Sequence, residues 1–199
     1  MSTIPHLGPA DHGREMTFDE FVQGDYEGGY KYELIDGSLY VTPEADFDHD
    51  WMGMNVLRTL LRYSEDRSDV INWVSTHARV FVPGAERTTA PEPDIAAYQG
   101  FPLEKGRHVQ WRDVSPILIV EVATGDEAAE TDLDRNVELY LRVPSVQEYW
   151  AFDLREELPE LIVHRRENDA WRVLRFEPSD TYTTNLLPGY SLPVTPPRR

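Results

Sequence analysis

Apolar positions along this chain fall into short runs broken by glycine, proline and acidic residues, and their spacing changes from helical to strand-like several times. Thr17-Phe18-Asp19-Glu20 is a capping-box pattern, with Thr17 as N-cap and Glu20 at N3, and it opens a short helix ending near Gly24. Tyr30–Ile35 is aromatic-rich and strand-like. Asp36-Gly37 is a strong hairpin signal, and Ser38–Val41 returns as the partner strand. From Phe47 to Ser64 the apolar residues Phe47, Trp51, Met54, Leu57, Leu60 and Leu61 recur at helical spacing. This predicts a long helix with a Trp51–Met54 core stripe, Asp46 or Asp48 near its start and Arg62 near its end. Val70–Val74, Ala78–Val82 and Ala90–Tyr98 read as strands, and 99–115 as a loop carrying Lys105, Arg107, His108 and Arg112.

Ile117–Ala123 is the most apolar strand candidate, and Glu121 interrupts it. A helix over Thr131–Val143 follows, stopped by Pro144. Strands at Gln147–Phe152, Leu161–Arg165 and Trp171–Phe176 come next, the last two turning at Asn168-Asp169, and the segment Tyr182–Val194 can add one more. Strands, a long helix, strands, a helix and strands again suggest an α+β domain with a mixed sheet. Residues 1–15 read as a flexible arm and 16–195 as a single domain.

The 199 residues suit one domain, and 22 aromatics can build its core. Absence of cysteine excludes disulfides and thiolate zinc sites. No apolar run approaches the ~20 residues of a membrane span, and the polar N-terminus does not resemble a signal peptide. These features point to a cytoplasmic protein with no membrane partner. The net charge is −17. Residues 1–50 hold 12 acids against Arg14 and Lys31, so the charge is partly segregated. Such a charge repels nucleic acid wherever it faces it, and elsewhere simply keeps the surface soluble.

Two acids stand on core strands. A buried, unpaired carboxylate costs several kcal/mol or takes up a proton (roughly 2–7 kcal/mol for polar groups, more for a charge). Alternation places Ile117, Ile119, Glu121 and Ala123 on one face, and Asp94 and Ala96 on one face of the earlier strand. If these strands are neighbours, Asp94 and Glu121 meet. Together with a backbone carbonyl such as that of Val122 and waters, they form an oxygen shell suited to Mg2+ or Mn2+. The plainer alternative is an arginine from a helix pairing with Glu121.

The ordered series Tyr32-Glu33-Leu34-Ile35-Asp36-Gly37, His49, Pro93-Asp94, Ile119-Val120-Glu121-Val122, Asp132 to Tyr140 and Glu148-Tyr149-Trp150 resembles the Uma family, over about residues 17–194. The family is grouped with restriction endonucleases of the PD-(D/E)XK nuclease superfamily. The resemblance implies a restriction-endonuclease-like mixed sheet flanked by helices, a divalent cation, and hydrolysis of DNA phosphodiesters. It also implies that Asp94 and Glu121 are the metal ligands and that Glu33 stands near the metal. His49 matches the family's histidine, and a helix cap or core hydrogen bond serves equally well for it. The lysine that the signature places two residues after the second acid is Ala123 here. The family's alternative lysine, four residues before a tyrosine, is Asn136. Neither Lys31 nor Lys105, the two lysines of the chain, fits the motif. Asparagine can orient a water or phosphate oxygen but supplies no charge. Arg135 points about 100° away on a helix.

Between Thr124 and Glu138 six acids accompany Arg135 alone, a solvated face or a poor neighbour for DNA. His77 and His108 read as surface residues, and Tyr149-Trp150 as sheet core. The resulting expectations are a Mg2+-dependent DNA endonuclease, a catalytically inactive relative serving as a binding module, or a hydrolase of a small phosphorylated substrate. A homodimer pairing through the Tyr30–Val41 hairpin is a further expectation.

Overall fold

A computed structural model describes residues 4–43 and 46–196, apart from the side chain of Glu127. The first three residues of the expected arm and Pro197 lie outside them. A six-stranded mixed sheet forms the centre. In chain order its strands are β5 (Trp73–Ser75), β6 (Ile95–Tyr98), β7 (Leu118–Ala123), β8 (Glu148–Asp153), β9 (Glu160–Glu167) and β10 (Ala170–Phe176). They lie side by side in the order β10-β9-β8-β7-β6-β5. Within this sheet only β7 and β8 pair in parallel. A parallel pair needs a crossover, and residues 124–147 supply it through α3 (Asp126–Ala129), a π-helical stretch Glu130–Arg135, and α4 (Asn136–Leu141). The expected α+β fold with a mixed sheet is therefore present.

Period-two alternation on β7 and β8 divides the core. Leu118, Val120, Val122, Trp150 and Phe152 join the larger cluster, packed against Met52, Val56 and Leu60 of α2 (Phe47–Asp66) and against the C-terminal strands β11 (Thr181–Thr183) and β12 (Ser191–Pro193). Ile119, Tyr149 and Ala151 face the other way, onto Tyr140, Val143 and Val146 of the crossover. Truncating a fully buried leucine such as Leu60 to alanine costs about 2–5 kcal/mol in such a core.

Several predicted elements shift. On α2 the buried stripe is Met52, Val56 and Leu60, spaced by four, while Met54 is 61% exposed. The Trp51–Met54 stripe is thus displaced: Trp51 packs partly against the core and Met54 faces out. The first strand after α2 shortens to Trp73–Ser75 because Val70 lies in a turn. Ala78–Val82 is not a strand. Its only ladder-like bonds are Val80 N–H to Pro91 and Val82 N–H to Thr89, and the prolines at 91 and 93 donate nothing in return. The crossover helix begins at Asp126, earlier than expected, with its acids at the helix N-terminus where the dipole favours them.

A separate hairpin, β3 (Tyr30–Ile35) and β4 (Ser38–Pro43), turns at Asp36 and Gly37, both at positive φ (47° and 70°) as a tight hairpin requires. Its outer edge is occupied. Leu39 exchanges backbone hydrogen bonds with Gly13 and Arg14, and Met16 donates to Gly37. On the other side Ala90 donates to Leu34. Residues 4–15 therefore differ from the expected arm: they cover the hairpin, β1 (His6–Leu7) pairs with β2 (Asp25–Tyr26), and Leu7 is fully buried. The same cover occupies the β4 edge of the hairpin. The short helix α1 (Phe18–Gln23) carries the capping box read from its sequence.

Candidate active site

The β6–β7 ladder ends at the pair Ile95 and Val120. One step further, Asp94 stands opposite Glu121, and side chains replace the backbone ladder there. Asp94 donates its N–H to Glu121 Oε2 (3.0 Å), and Val122 donates its N–H to Asp94 Oδ2 (2.8 Å). Pro93 has no N–H with which to extend the ladder. The strand end thus becomes a rigid pair of carboxylates on one face of the sheet, as alternation predicts.

Four other elements converge on this pair. From the start of α2, where Asp46 caps the helix by accepting the N–H of His49 (3.0 Å), His49 Nε2 reaches Asp94 Oδ2 at 2.9 Å. From α4, Tyr140 donates to Glu121 Oε1 (2.8 Å) and Asn136 Nδ2 donates to the same oxygen (3.3 Å). From the π-helical stretch, Asp132 accepts the other Asn136 amide hydrogen at 3.0 Å. From the hairpin, Lys31 places its ammonium 3.5 Å from Asp94 Oδ1 and 3.9 Å from Glu121 Oε2. Glu33, two residues along the same strand, accepts from Glu92 N–H (2.8 Å) and lies 3.4 Å from Arg135.

Lys31 occupies neither lysine position of the motif, yet its ammonium stands beside both acids. The hairpin is remote in sequence from Asp94 and Glu121, so local motif spacing could not place it there. Its one local signal is the i, i+2 relation to Glu33, which puts both side chains on one face of β3. Asp132 and Tyr140 were read as parts of a motif stretch rather than as site residues. Their spacing, Asp132-Asn136-Tyr140, is one helical stripe, and all three are buried. Asp126, Glu130, Asp134 and Glu138 are exposed, so this much of the acidic run is a solvated face, and among its described side chains only Asp132 turns inward. Arg135 does not pair with Glu121; it contacts Glu33, the Asn136 carbonyl and the ring of Tyr40.

The electrostatics follow from burial and charge count. Burial opposes ionisation of Asp94, but the Lys31 ammonium and the His49 hydrogen bond outweigh it and hold the carboxyl at about 2. Burial works against the Lys31 charge too, yet Glu121 and Asp94 raise its pKa well above the usual lysine value, so it stays protonated. Glu121 moves the other way: burial, reinforced by Asp132, Asp94 and Glu33, pushes it well above the usual carboxylate range. Asp132 rises to about 7, chiefly through burial. His49 is raised because its bond to Asp94 overcomes its desolvation.

A cavity of about 600 Å³ opens over this cluster, lined among others by Lys31, Glu33, His49, Asp94, Val122 and Asp132. Asn136 is 1% exposed and stands behind Glu121 rather than in the lining. His77 is exposed at the mouth, 3.5 Å from Glu92. None of the basic residues of the 99–115 loop lines the cavity, and Arg112 instead stacks over Phe18.

The residues suit a hard divalent cation. Asp94 Oδ1 and Glu121 Oε2 both face the same positive charge, and an all-oxygen pair with further acids around it is what magnesium or manganese takes. The raised proton affinity of Glu121 and Asp132 marks a cluster with room for more positive charge. Among the described residues no three acids or histidines converge as a ready-made shell, so such an ion would take its remaining ligands from water and backbone.

This combination of mixed sheet and acidic strand-end site is that of a nuclease-like fold. The chain matches the Uma2 family, described as "Putative restriction endonuclease", over residues 18–195, and it belongs to that family. Among solved structures it is similar to "a putative nuclease belonging to DUF820" from Anabaena variabilis ATCC 29413, with a TM-score of 0.66 and 15% identity over 90% of this chain and 95% of that one. No curated protein matches the chain. Among the described residues no helix is long and apolar enough to cross a membrane.

Proposed function

We propose that the protein is a divalent-cation-dependent nuclease that hydrolyses DNA phosphodiester bonds at the cavity over Asp94 and Glu121. The observation that carries this reading is the rigid Asp94–Glu121 pair, whose Oδ1 and Oε2 face one ammonium beside an open cavity lined by Asp94 and Lys31. Asp94 and Glu121 would hold Mg2+ or Mn2+, with the Val122 carbonyl and water completing the shell. The bound cation supplies activation of a water and neutralisation of the phosphate. In the reaction a water oxygen bonds to phosphorus, the P–O bond to the leaving strand end breaks, the water proton passes to solvent, and the leaving oxygen takes a proton.

The chain's own residues orient the acids. His49 and the Val122 amide occupy Asp94 Oδ2 and leave Oδ1 toward the cavity. Tyr140 and Asn136 occupy Glu121 Oε1, and Oε2 accepts the Asp94 N–H and faces Lys31. Glu33 lines the wall beside them. Asn136, expected to orient a water or a phosphate oxygen, acts instead by positioning Glu121.

Nicking of supercoiled plasmid and cutting of a linear duplex in Mg2+ or Mn2+, lost in Asp94→Asn and Glu121→Gln, test the reading. Absence of cleavage by folded protein across metals and substrates overturns it. A second reading is a nuclease-fold binding module, and one observation favours it: Glu33, Asp46, Asp50, Glu92, Asp94 and Asp132 outnumber Lys31, His49 and His77 in the lining. That wall repels a phosphate backbone unless a cation intervenes. A folded wild type that is silent across metals and substrates supports the module.

A further inference from the structure

We propose that Lys31 is a catalytic residue of this site, its ammonium being the protein's positive charge on the reacting phosphate, brought in from the hairpin rather than from the strand or helix that carries the acids. This inference rests on the nuclease reading.

Three observations carry it. First, the ammonium is shared. It stands 3.5 Å from Asp94 and 3.9 Å from Glu121, neither distance a closed, direct ion pair, so it sits between the two acids rather than bound to one. Second, it is open to ligand. The Lys31 side chain keeps 30% of its exposure and lines the cavity. Third, the other cations near the acids are occupied. Arg135 contacts Glu33, the Asn136 carbonyl and the Tyr40 ring, and His49 is bound to Asp94. Asn136, with a side chain too short to reach the cavity and no charge, lies on the far side of Glu121 from Lys31: it touches Oε1, and Lys31 faces Oε2.

The hairpin is built to deliver this group. Asp36 and Gly37 set its turn, Ala90 bonds β3 at Leu34, and the 13–16 segment covers β4, so the strand bearing Lys31 is held on both sides. Lys31 remains protonated throughout the reaction. It donates hydrogen bonds to a non-bridging phosphate oxygen and stabilises the charge that builds there as the nucleophile adds. It needs no proton transfer.

The test compares wild type, Lys31→Met, Asn136→Lys and the double variant. Single-turnover cleavage in Mn2+ is expected to fall at least 100-fold in Lys31→Met, with a loss of duplex affinity of no more than about tenfold. It should recover to within tenfold of wild type in the double variant, whose new ammonium stands beside Glu121 from the helix side. Lys31→Met cleaving within threefold of wild type overturns the proposal. If Lys31→Met alone does not fold, the double variant decides: folded and active supports the proposal, folded and inactive overturns it.

A second readout is independent of activity. Binding of a fluorescent duplex oligonucleotide in EDTA is followed against salt concentration. Loss of one phosphate contact lowers the slope of log K against log salt by about 0.9 in Lys31→Met. An unchanged slope and affinity overturn the proposal even where wild type does not cleave, and a lowered slope in a protein that never cleaves upholds the phosphate contact while the nuclease reading falls. Wild type that neither binds nor cleaves overturns both.

Discussion

Two glutamates on adjacent parallel strands, Glu121 on β7 and Glu148 on β8, are almost equally buried, at 1% and 2% exposure. Their surroundings differ. Glu148 faces the α2 side and is saturated: Arg165 Nε at 2.8 Å and Thr184 Oγ1 at 2.6 Å on one oxygen, Trp150 Nε1 and Tyr182 OH, each at 2.8 Å, on the other. No second carboxylate competes for the guanidinium, and the network ties β8, β9 and the C-terminal strands together. Glu121 faces the crossover, shares a single ammonium with Asp94, and has Asp132 and Glu33 as further acidic neighbours. A buried acid is therefore not by itself a sign of chemistry. Unbalanced charge beside an open cavity distinguishes the two sites.

The widest separation is expected in activity. Asp94→Asn and Glu121→Gln should each reduce cleavage by at least about 10³-fold, roughly 4 kcal/mol of transition-state stabilisation. Urea unfolding should show Glu121→Gln within about 1 kcal/mol of wild type, since its neighbours oppose its charge, whereas Asp94→Asn loses a charge that Lys31 and His49 stabilise and should cost about 2 kcal/mol. A stability loss that accounts for the inactivity would collapse the comparison.

Glu148→Gln should do the reverse. Removing the carboxylate leaves the Arg165 guanidinium partly buried and unpaired, and stability should fall by about 3 kcal/mol. The folded fraction should cleave at the wild-type rate, and a specific rate lowered in fully folded protein would place Glu148 in the chemistry after all.

Asp132→Asn sharpens the charge argument through pH. The folded protein holds this proton up to about pH 7, whereas the unfolded chain releases it near its ordinary 3.8. The stability it contributes is thus fully present below about pH 4 and is lost as the pH rises through about 7. The variant should flatten that decline and be more stable than wild type at pH 8, by about 2 kcal/mol. Parallel stability–pH curves for the two proteins would show that Asp132 is not strained by its neighbours.

The smallest effect belongs to Tyr140→Phe. Loss of the hydroxyl on Glu121 Oε1 should cost about 1 kcal/mol in thermal or urea unfolding. A change several times larger would mean that Tyr140 orders the whole crossover rather than one oxygen.

Much of this was readable from local pattern. The Asp36-Gly37 hairpin, the Thr17 capping box and the apolar run around Glu121 each depend on near neighbours in the chain, and each appears as its pattern implies. Alternation also sent Asp94 and Glu121 to one face, because side-chain direction in a strand is a two-residue property. The α2 stripe slipped because Phe47, Met54 and Leu61 are apolar but face outward, and hydrophobicity alone does not say which side of a helix the sheet will cover. The irregular Ala78–Val82 segment departs from its apolar pattern for a similar reason, since its failure to form a strand lies in the prolines of the segment opposite.

What the sequence determined by itself is the family, the class of fold and the two acids at the strand ends, all carried by residue order and short-range periodicity. Only the tertiary structure decided which cation stands with those acids. Lys31 is separated from Asp94 and Glu121 by the hairpin, α2 and two strands, and it enters the site because the 13–16 segment and Ala90 hold that hairpin over the end of the sheet. A charge acts through space rather than along the chain, so its partners are fixed by where the backbone is packed and not by spacing in the sequence.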